Sequence, residues 1–189
     1  IKPASRARRR CGPCASSAAA EPIAIIGMSG RFPQAGNVDQ LWSLLAQAKS
    51  GITEIPPSRW SWREHQTSTN KGGFIEGVDE FDPLFFEISP REAEEMDPGE
   101  RLLLMEAYRA IEDAGISPAS LRGSKTGVFA GMEESQYGLL TGRQGITTSG
   151  NAMVSSRLSY FLDLRGPAIA TNTACSSGLV ALHQAVTSL

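Results

Sequence analysis

The chain has 189 residues, of which 41% are hydrophobic and 20% charged, a composition typical of a globular protein and not of a disordered one. Its 18 basic and 20 acidic residues leave a net charge of -2, which argues against binding to nucleic acid through net charge. No apolar run approaches the roughly 20 residues that a membrane-spanning helix needs, so we expect no membrane association.

The first 20 residues predict a flexible basic linker, because they contain five basic side chains, no acidic one and no apolar periodicity. Cys11 and Cys14 have the C-x-x-C spacing of redox dithiols, but no predicted strand precedes them and one such pair cannot complete a zinc site. We therefore assign both to the linker and predict no metal. With Cys175 they make three cysteines, too few for a disulfide scaffold, so we expect a cytoplasmic protein. The chain begins at Ile1 without a signal core, and we expect it to be an excised fragment.

From residue 21 onward, predicted strands alternate with predicted helices. A short apolar run at residues 22–27 favours a buried parallel strand, and Asn37 can cap a helix over residues 37–48. A long irregular stretch follows at residues 50–77. Two helices then begin at Pro90 and Pro98, each with a capping residue before the proline and a Glu at the third helical position. The second of them ends near Ala114, before Gly115.

The last third of the chain continues the alternation. Residues 126–131 and 168–173 predict two further strands, and residues 151–162 and 176–189 predict two helices. This order predicts an α/β fold with a mostly parallel sheet. On three predicted helices apolar residues recur at helical spacing, and we expect these sets to face the core: Leu41, Leu44, Leu45 and Ala48; Leu103, Ala107, Ala110, Ile111 and Ala114; Leu179, Leu182, Val186 and Leu189.

Two glycine-containing segments have part of the pattern of nucleotide-binding loops. Residues 27–30 lack the full G-x-G-x-x-G spacing. Residues 123–126 lack the first glycine of a phosphate loop, and they lead into a strand where that loop needs a helix. We therefore predict no nucleotide cofactor.

Cys175 lies where the third predicted strand is followed by the last predicted helix, in the octapeptide TNTACSSG at residues 171–178. The amides and the dipole at a helix N-terminus favour a thiolate, and the small flanking residues leave room for an acyl group. We predict that Cys175 is a nucleophile; the alternative is a buried structural cysteine at a strand end. His183 lies eight residues further along the same helix, about 12 Å away along its axis, and cannot pair directly with Cys175. We assign His65 to the surface.

Several stretches of the sequence, in order over residues 21–189, form one family pattern. They are EPIAIIGMSGRFP at 21–33, IPPSRW at 55–60, GGFIEGVD at 72–79, FDPLFFEISPREA at 81–93, MDP at 96–98 with RLLL at 101–104, SRLSY at 156–160 and the octapeptide around Cys175. Together they resemble the N-terminal part of a β-ketoacyl synthase of the type in modular polyketide synthases. The chain departs from that pattern at Asn172, where the family commonly has Asp, and at Gly178, where it commonly has Ser.

The resemblance implies a thiolase-like α/β/α layered fold, of which these residues would form the N-terminal half, in a homodimer. It implies that Cys175 takes an acyl chain from the phosphopantetheine arm of an acyl carrier protein. A malonyl-type extender on another carrier would then be decarboxylated and condensed with that acyl chain. One donor to the oxyanion would be the backbone N–H of Cys175. The protein would need no cofactor of its own.

Two other functions remain open at this point. A non-elongating ketosynthase-like module would hold or transfer acyl chains without condensing them. A Cys-His hydrolase is disfavoured because no histidine is suitably placed. The two histidine motifs of the family, His-Gly-Thr-Gly-Thr and Gly-His, do not occur in these 189 residues. We therefore expect the 189 residues alone not to catalyse condensation.

Overall fold

Two pairs of strands form in the part of the chain that the structure, a computed structural model, describes: residues 22–64, 68–142 and 151–189. Strand β1 (Ile52–Glu54) pairs antiparallel with β2 (Lys71–Gly73), inside the stretch that we predicted to be irregular. Strand β3 (Val128–Gly131) pairs with β4 (Ala168–Thr171), parallel and in register from the first residue to the last. The prediction of an α/β fold with a parallel sheet is confirmed.

Except for the helix at residues 137–141, which the sequence did not predict, the helices lie close to their predicted positions but are shorter by one or two residues at several ends. Their bounds are α1 Val38–Ala46, α2 Pro90–Glu95, α3 Pro98–Asp113, α4 Tyr137–Thr141, α5 Asn151–Phe161 and α6 Ser177–Thr187, with a short 3-10 turn at Pro118–Leu121. In the described residues, none of these helices is both long enough and apolar enough to cross a membrane. The predicted linker with Cys11 and Cys14 lies outside the described residues, as does His65.

The predicted helix caps are confirmed. The side chain of Asn37 accepts a hydrogen bond from the backbone N–H of Gln40, at the start of α1. Ser89 caps α2 in the same way, and Asp97 caps α3 through the N–H of Gly99. Gly115 follows α3 with φ 68°, the left-handed conformation that glycine adopts without a steric penalty. These caps satisfy amides that the helices cannot satisfy internally, which is why a short sequence pattern can predict them.

The core lies between α3, α5 and the loop that leads into α2. Leu104 of α3 and Leu158 of α5 are buried there, and Met96 is fully enclosed. Phe86 stacks on Phe81 with ring centroids 5.2 Å apart. Buried apolar side chains are the largest favourable contribution to folding, so this cluster fixes how the helices sit against the parallel strand pair. Its buried members are Phe86, Ile88, Ala93, Met96, Leu104, Leu158, Leu162 and Leu164.

The prediction of a buried strand at residues 22–27 is wrong. These residues have no regular secondary structure, and Ile25 is 78% exposed. A strand needs a hydrogen-bonded neighbour, and in the described residues none pairs with this segment. The chain just after it contacts α3 instead. The N–H of Met28 donates to Asp113 at 2.8 Å, and Arg31 forms an ion pair with Glu106 at 2.9 Å.

Of the three predicted inward faces, that of α1 is wrong in part and that of α6 is wrong. On α1, Leu45 is 58% exposed, and on α6, Leu179 is 75% exposed. The buried residues of α6 are Ser177 and Ala181, and α6 packs against β3 and β4. On α3 the predicted residues are all partly buried, and Ala107 and Ile111 pack against the core cluster beside the buried Leu104. Periodicity identifies an apolar face, but burial of that face requires another element to cover it, and in the described residues none covers Leu45 of α1 or the predicted face of α6.

Candidate active site

Cys175 lies in the connection between β4 and α6, one residue before Ser176, which is the N-cap of α6. Its side chain is exposed, which contradicts the alternative of a buried structural cysteine. The first turn of α6, residues 177–180, contains no acidic residue. The positive end of the helix dipole therefore acts near the thiol without a carboxylate in that turn to oppose it.

The turn before Cys175 has an uncommon backbone conformation. Ala174 has φ 53°, in the left-handed region that residues with a Cβ rarely adopt. The Oδ1 atom of Asn172 accepts a hydrogen bond from the N–H of Ala174 at 3.1 Å. The hydroxyl of Ser177 donates to the carbonyl oxygen of Ala174 at 2.7 Å and accepts from the N–H of Thr173 at 2.9 Å. Side chains on both sides of the cysteine therefore hold this turn.

The connection that carries Cys175 and the start of α6 are held against both parallel strands. Strand β3 approaches the start of α6 so closely at Gly131 that a Cβ there would lie 2.4 Å from the carbonyl carbon of Ser177. Only glycine permits this approach without displacement of the backbone. The hydroxyl of Thr171, the last residue of β4, donates to Oε1 of Gln184 at 2.8 Å. The connection that carries the thiol is thus fixed at the sheet and at the middle of α6.

The structure does not bring a histidine to the thiol in the described residues. His183 lies on α6 and is exposed. The helical rise separates it from Cys175 by about 12 Å along the axis. Nor do the described residues contain a group of three or more His, Cys, Asp or Glu side chains that could hold a metal ion. In this part of the chain the site therefore consists of a nucleophile, its turn and a helix N-terminus.

A charged cluster that the sequence analysis missed lies at the junction of α2, α3 and α5. Arg157 forms ion pairs with Glu92 at 2.7 Å and with Glu100 at 2.8 Å. Glu100 is only 3% exposed. Burial raises the pKa of Glu100 from its ordinary value of 4.5 to about 7, against the opposite effect of the Arg157 guanidinium. Glu100 and Arg157 are 57 positions apart in the sequence, so no local pattern could have indicated the pair.

Comparisons of the sequence with known families and proteins give one consistent result. Residues 20–189 match the family described as "Beta-ketoacyl synthase, N-terminal domain". The chain is 47% identical to polyketide synthase PksN of Bacillus subtilis over 92% of its length, which is 4% of that protein. It is also 46% identical to polyketide synthase ThaG of Burkholderia thailandensis, over 96% of the chain and 4% of that protein.

Solved structures show the same similarity in three dimensions. A ketosynthase from module 6 of the bacillaene synthase of Bacillus subtilis superposes with a TM-score of 0.79 and 43% identity, over 88% of this chain and 29% of that one. The oxazolomycin ketosynthase domain OzmH KS7 of Streptomyces albus gives a TM-score of 0.77 and 37% identity, over 86% of this chain and 32% of that one. The chain therefore spans about a third of each of these solved domains.

Proposed function

Because the chain belongs to the β-ketoacyl synthase family and has its thiolase-like α/β fold, we propose that it carries the nucleophile of a condensing enzyme in polyketide chain elongation. The observation that carries the proposal is the position of Cys175, exposed on a braced turn at the N-terminus of α6. In this reaction a malonyl-type extender loses its carboxyl group and attacks the acyl chain that Cys175 holds.

The first half-reaction is a thioester exchange at Cys175. The Sγ thiolate attacks the carbonyl carbon of an acyl thioester on the phosphopantetheine arm of an acyl carrier protein. The tetrahedral intermediate expels the phosphopantetheine thiolate, which takes up a proton, and the acyl chain remains on Sγ. The backbone N–H of Cys175 donates to the oxyanion in this step. The exposed thiol and its small neighbours support the assignment, because a bulky acyl carrier arm must reach Sγ.

In the second half-reaction a malonyl-type thioester on a carrier protein releases carbon dioxide, and the resulting carbanion attacks the acyl group on Cys175. The new carbon–carbon bond replaces the bond to Sγ, so the β-ketoacyl product leaves on the carrier and the thiolate is regenerated. The reaction calls for no metal or nucleotide of the protein's own. Its partners are acyl carrier proteins and, as we propose, a second copy of the enzyme in a cytoplasmic homodimer.

The two rival functions gain nothing from the structure or the comparisons. The similar proteins are polyketide synthases and ketosynthases, which favours condensation over a non-elongating role. A Cys-His hydrolase would need a histidine beside the thiol, and His183 lies too far along α6.

Mass spectrometry of the full-length protein tests the proposal. We expect incubation with an acyl N-acetylcysteamine thioester to leave one acyl group on Cys175, and Cys175→Ala to carry none. The variants Cys11→Ala and Cys14→Ala serve as controls and should be acylated like the parent protein. An adduct that persists in Cys175→Ala would contradict the assignment of the nucleophile. Acylation of Cys175 without a β-ketoacyl product from malonyl-loaded carrier would instead favour the non-elongating role.

A further inference from the structure

We propose that the Ser177 hydroxyl is a positioning group for Cys175, which holds the preceding turn in the conformation that presents the thiol to an acyl thioester. The inference rests on the proposed function, since it assigns a residue that serves the same nucleophile. Ser177 does not touch the reacting atoms in this scheme. It acts through the backbone of the two residues before the cysteine.

The hydrogen bonds of Ser177 make it the central brace of the turn. Its side chain is buried, with the residue 5% exposed. One hydroxyl both accepts from the N–H of Thr173 at 2.9 Å and donates to the carbonyl oxygen of Ala174 at 2.7 Å. It thereby connects the first turn of α6 to two peptide groups on the other side of Cys175. No apolar side chain of similar size could replace both bonds.

The backbone of Ala174 explains why a brace is needed. Its φ of 53° lies in a region that is sterically unfavourable for alanine and persists only when the surroundings impose it. Without the Ser177 hydroxyl, the N–H of Thr173 loses its acceptor and the carbonyl of Ala174 loses one of its two donors. The turn can then relax toward a negative φ, which redirects the peptide that leads into Cys175.

Ser177 is itself held firmly, so it can impose this conformation. Its backbone N–H donates to the carbonyl oxygen of Ala174 at 3.0 Å, and its carbonyl carbon lies against Gly131 of β3. The neighbouring Ser176 differs, because it is exposed and its hydroxyl donates to the carbonyl oxygen of Thr173 and contacts the Thr173 side chain. Ser177 is therefore the serine that couples the position of α6 to Ala174.

The test measures acylation kinetics of Cys175 in the full-length protein for Ser177→Ala, Ser177→Thr and a matched control. The control is Ser155→Ala, since Ser155 is buried and its hydroxyl has no hydrogen-bond partner in the described residues. We expect Ser177→Ala to lower the maximal acylation rate about tenfold, with the half-saturating thioester concentration unchanged. Ser177→Thr keeps the hydroxyl and should recover most of the rate. Ser155→Ala should acylate like the parent protein.

A second readout separates this inference from the proposed function. Alkylation of Cys175 by iodoacetamide needs no acyl transfer, and Ser177→Ala should slow it as well. If the parent protein takes up no acyl group while Ser177→Ala still slows alkylation, the function is wrong and the positioning role stands. Equal rates for Ser177→Ala and the parent protein would overturn the positioning role, as would equal slowing in Ser155→Ala. If Ser177→Ala does not fold, the second variant is Asn172→Ala, which removes the exposed side chain that accepts from the N–H of Ala174. It should slow acylation, and an unchanged rate would overturn the inference that the conformation of this turn positions the thiol.

Discussion

Gly131 shows how a single missing side chain determines the geometry of the site. It ends strand β3, and an added Cβ would lie 2.4 Å from the carbonyl carbon of Ser177 and 2.6 Å from the nitrogen of Gly178. Both atoms belong to the backbone at the start of α6, and neither can move independently of the helix. The close approach of strand and helix therefore depends on glycine at this position, and the turn of Cys175 depends on that approach.

We expect Gly131→Ala to lower the free energy of unfolding by about 1–3 kcal/mol, as overpacking typically does. The same variant should slow acylation of Cys175, because α6 must shift away from β3. Denaturant unfolding of the full-length protein, followed by tryptophan fluorescence, measures the first effect. The matched control is Gly178→Ala, where an added Cβ meets, among the described residues, no atom within 4 Å beyond its own stretch of helix. That variant should be neutral or stabilise α6 by about 0.5–1 kcal/mol, and equal destabilisation by both changes would refute the argument.

Helix α3 shows how one cap can connect elements that are far apart in sequence. Oδ1 of Asp97 accepts from the N–H of Gly99 at 2.6 Å, which caps the helix. Oδ2 of the same side chain accepts from the hydroxyl of Ser135 at 2.6 Å, in the loop after β3. The sequence pattern of Asp followed by Pro predicted the first bond. The second bond joins the N-terminus of α3 to the segment that leads into α4.

We therefore expect Asp97→Ala to lower the free energy of unfolding by more than the loss of an ordinary helix cap does. Loss of the capping bond costs about 1 kcal/mol, and loss of the Ser135 bond adds a further amount of about the same size. The control is Ser117→Ala, since Ser117 precedes the 3-10 turn without a side-chain capping bond. Thermal unfolding of the full-length variants compares the two changes. If Asp97→Ala loses no more stability than Ser117→Ala does, the second bond of Asp97 does not stabilise the fold.

On the scale of the whole molecule, Arg157 joins α5 to two helices that lie far from it in the sequence. It pairs with Glu92 of α2 and Glu100 of α3, and Asp97 also acts on Glu100. The cluster therefore holds more carboxylates than the one guanidinium can balance. Burial of the charged form is unfavourable, and the pKa of Glu100 rises to about 7 as a result.

This cluster predicts that stability falls as the pH rises from about 4.5 to about 7. In that interval Glu100 is more protonated in the folded state than in the unfolded state, so the folded state binds more protons. Glu100 makes its full contribution to stability below the pKa that it has in the unfolded chain, and loses it above the pKa that it has in the folded protein. The free energy of unfolding changes by up to about 3 kcal/mol in total. Glu100→Gln should remove this part of the pH dependence, measured by denaturant unfolding at several pH values. Glu112→Gln, at an exposed position on the same helix, should leave it intact, and an unchanged slope in Glu100→Gln would exclude the mechanism.

The sequence by itself determined the features that depend on near neighbours in the chain. Asn37, Ser89 and Asp97 cap helices because each accepts from an amide two or three residues further on. The α/β class followed from the alternation of element types, and the place of Cys175 between β4 and α6 followed from the same alternation. The family followed from motifs that extend over most of the chain.

Only the tertiary structure decided which surfaces are covered and which distant residues meet. The apolar faces of α1 and α6 are periodic in the sequence, yet Leu45 and Leu179 are exposed because no element packs on them in the described residues. The approach of Gly131 to Ser177 joins residues 46 positions apart, and the pair of Glu100 with Arg157 joins residues 57 positions apart. Burial, strand pairing and the pKa of Glu100 all depend on atoms that the chain brings together by folding. Local patterns act over about four residues, so they carry no information about such contacts.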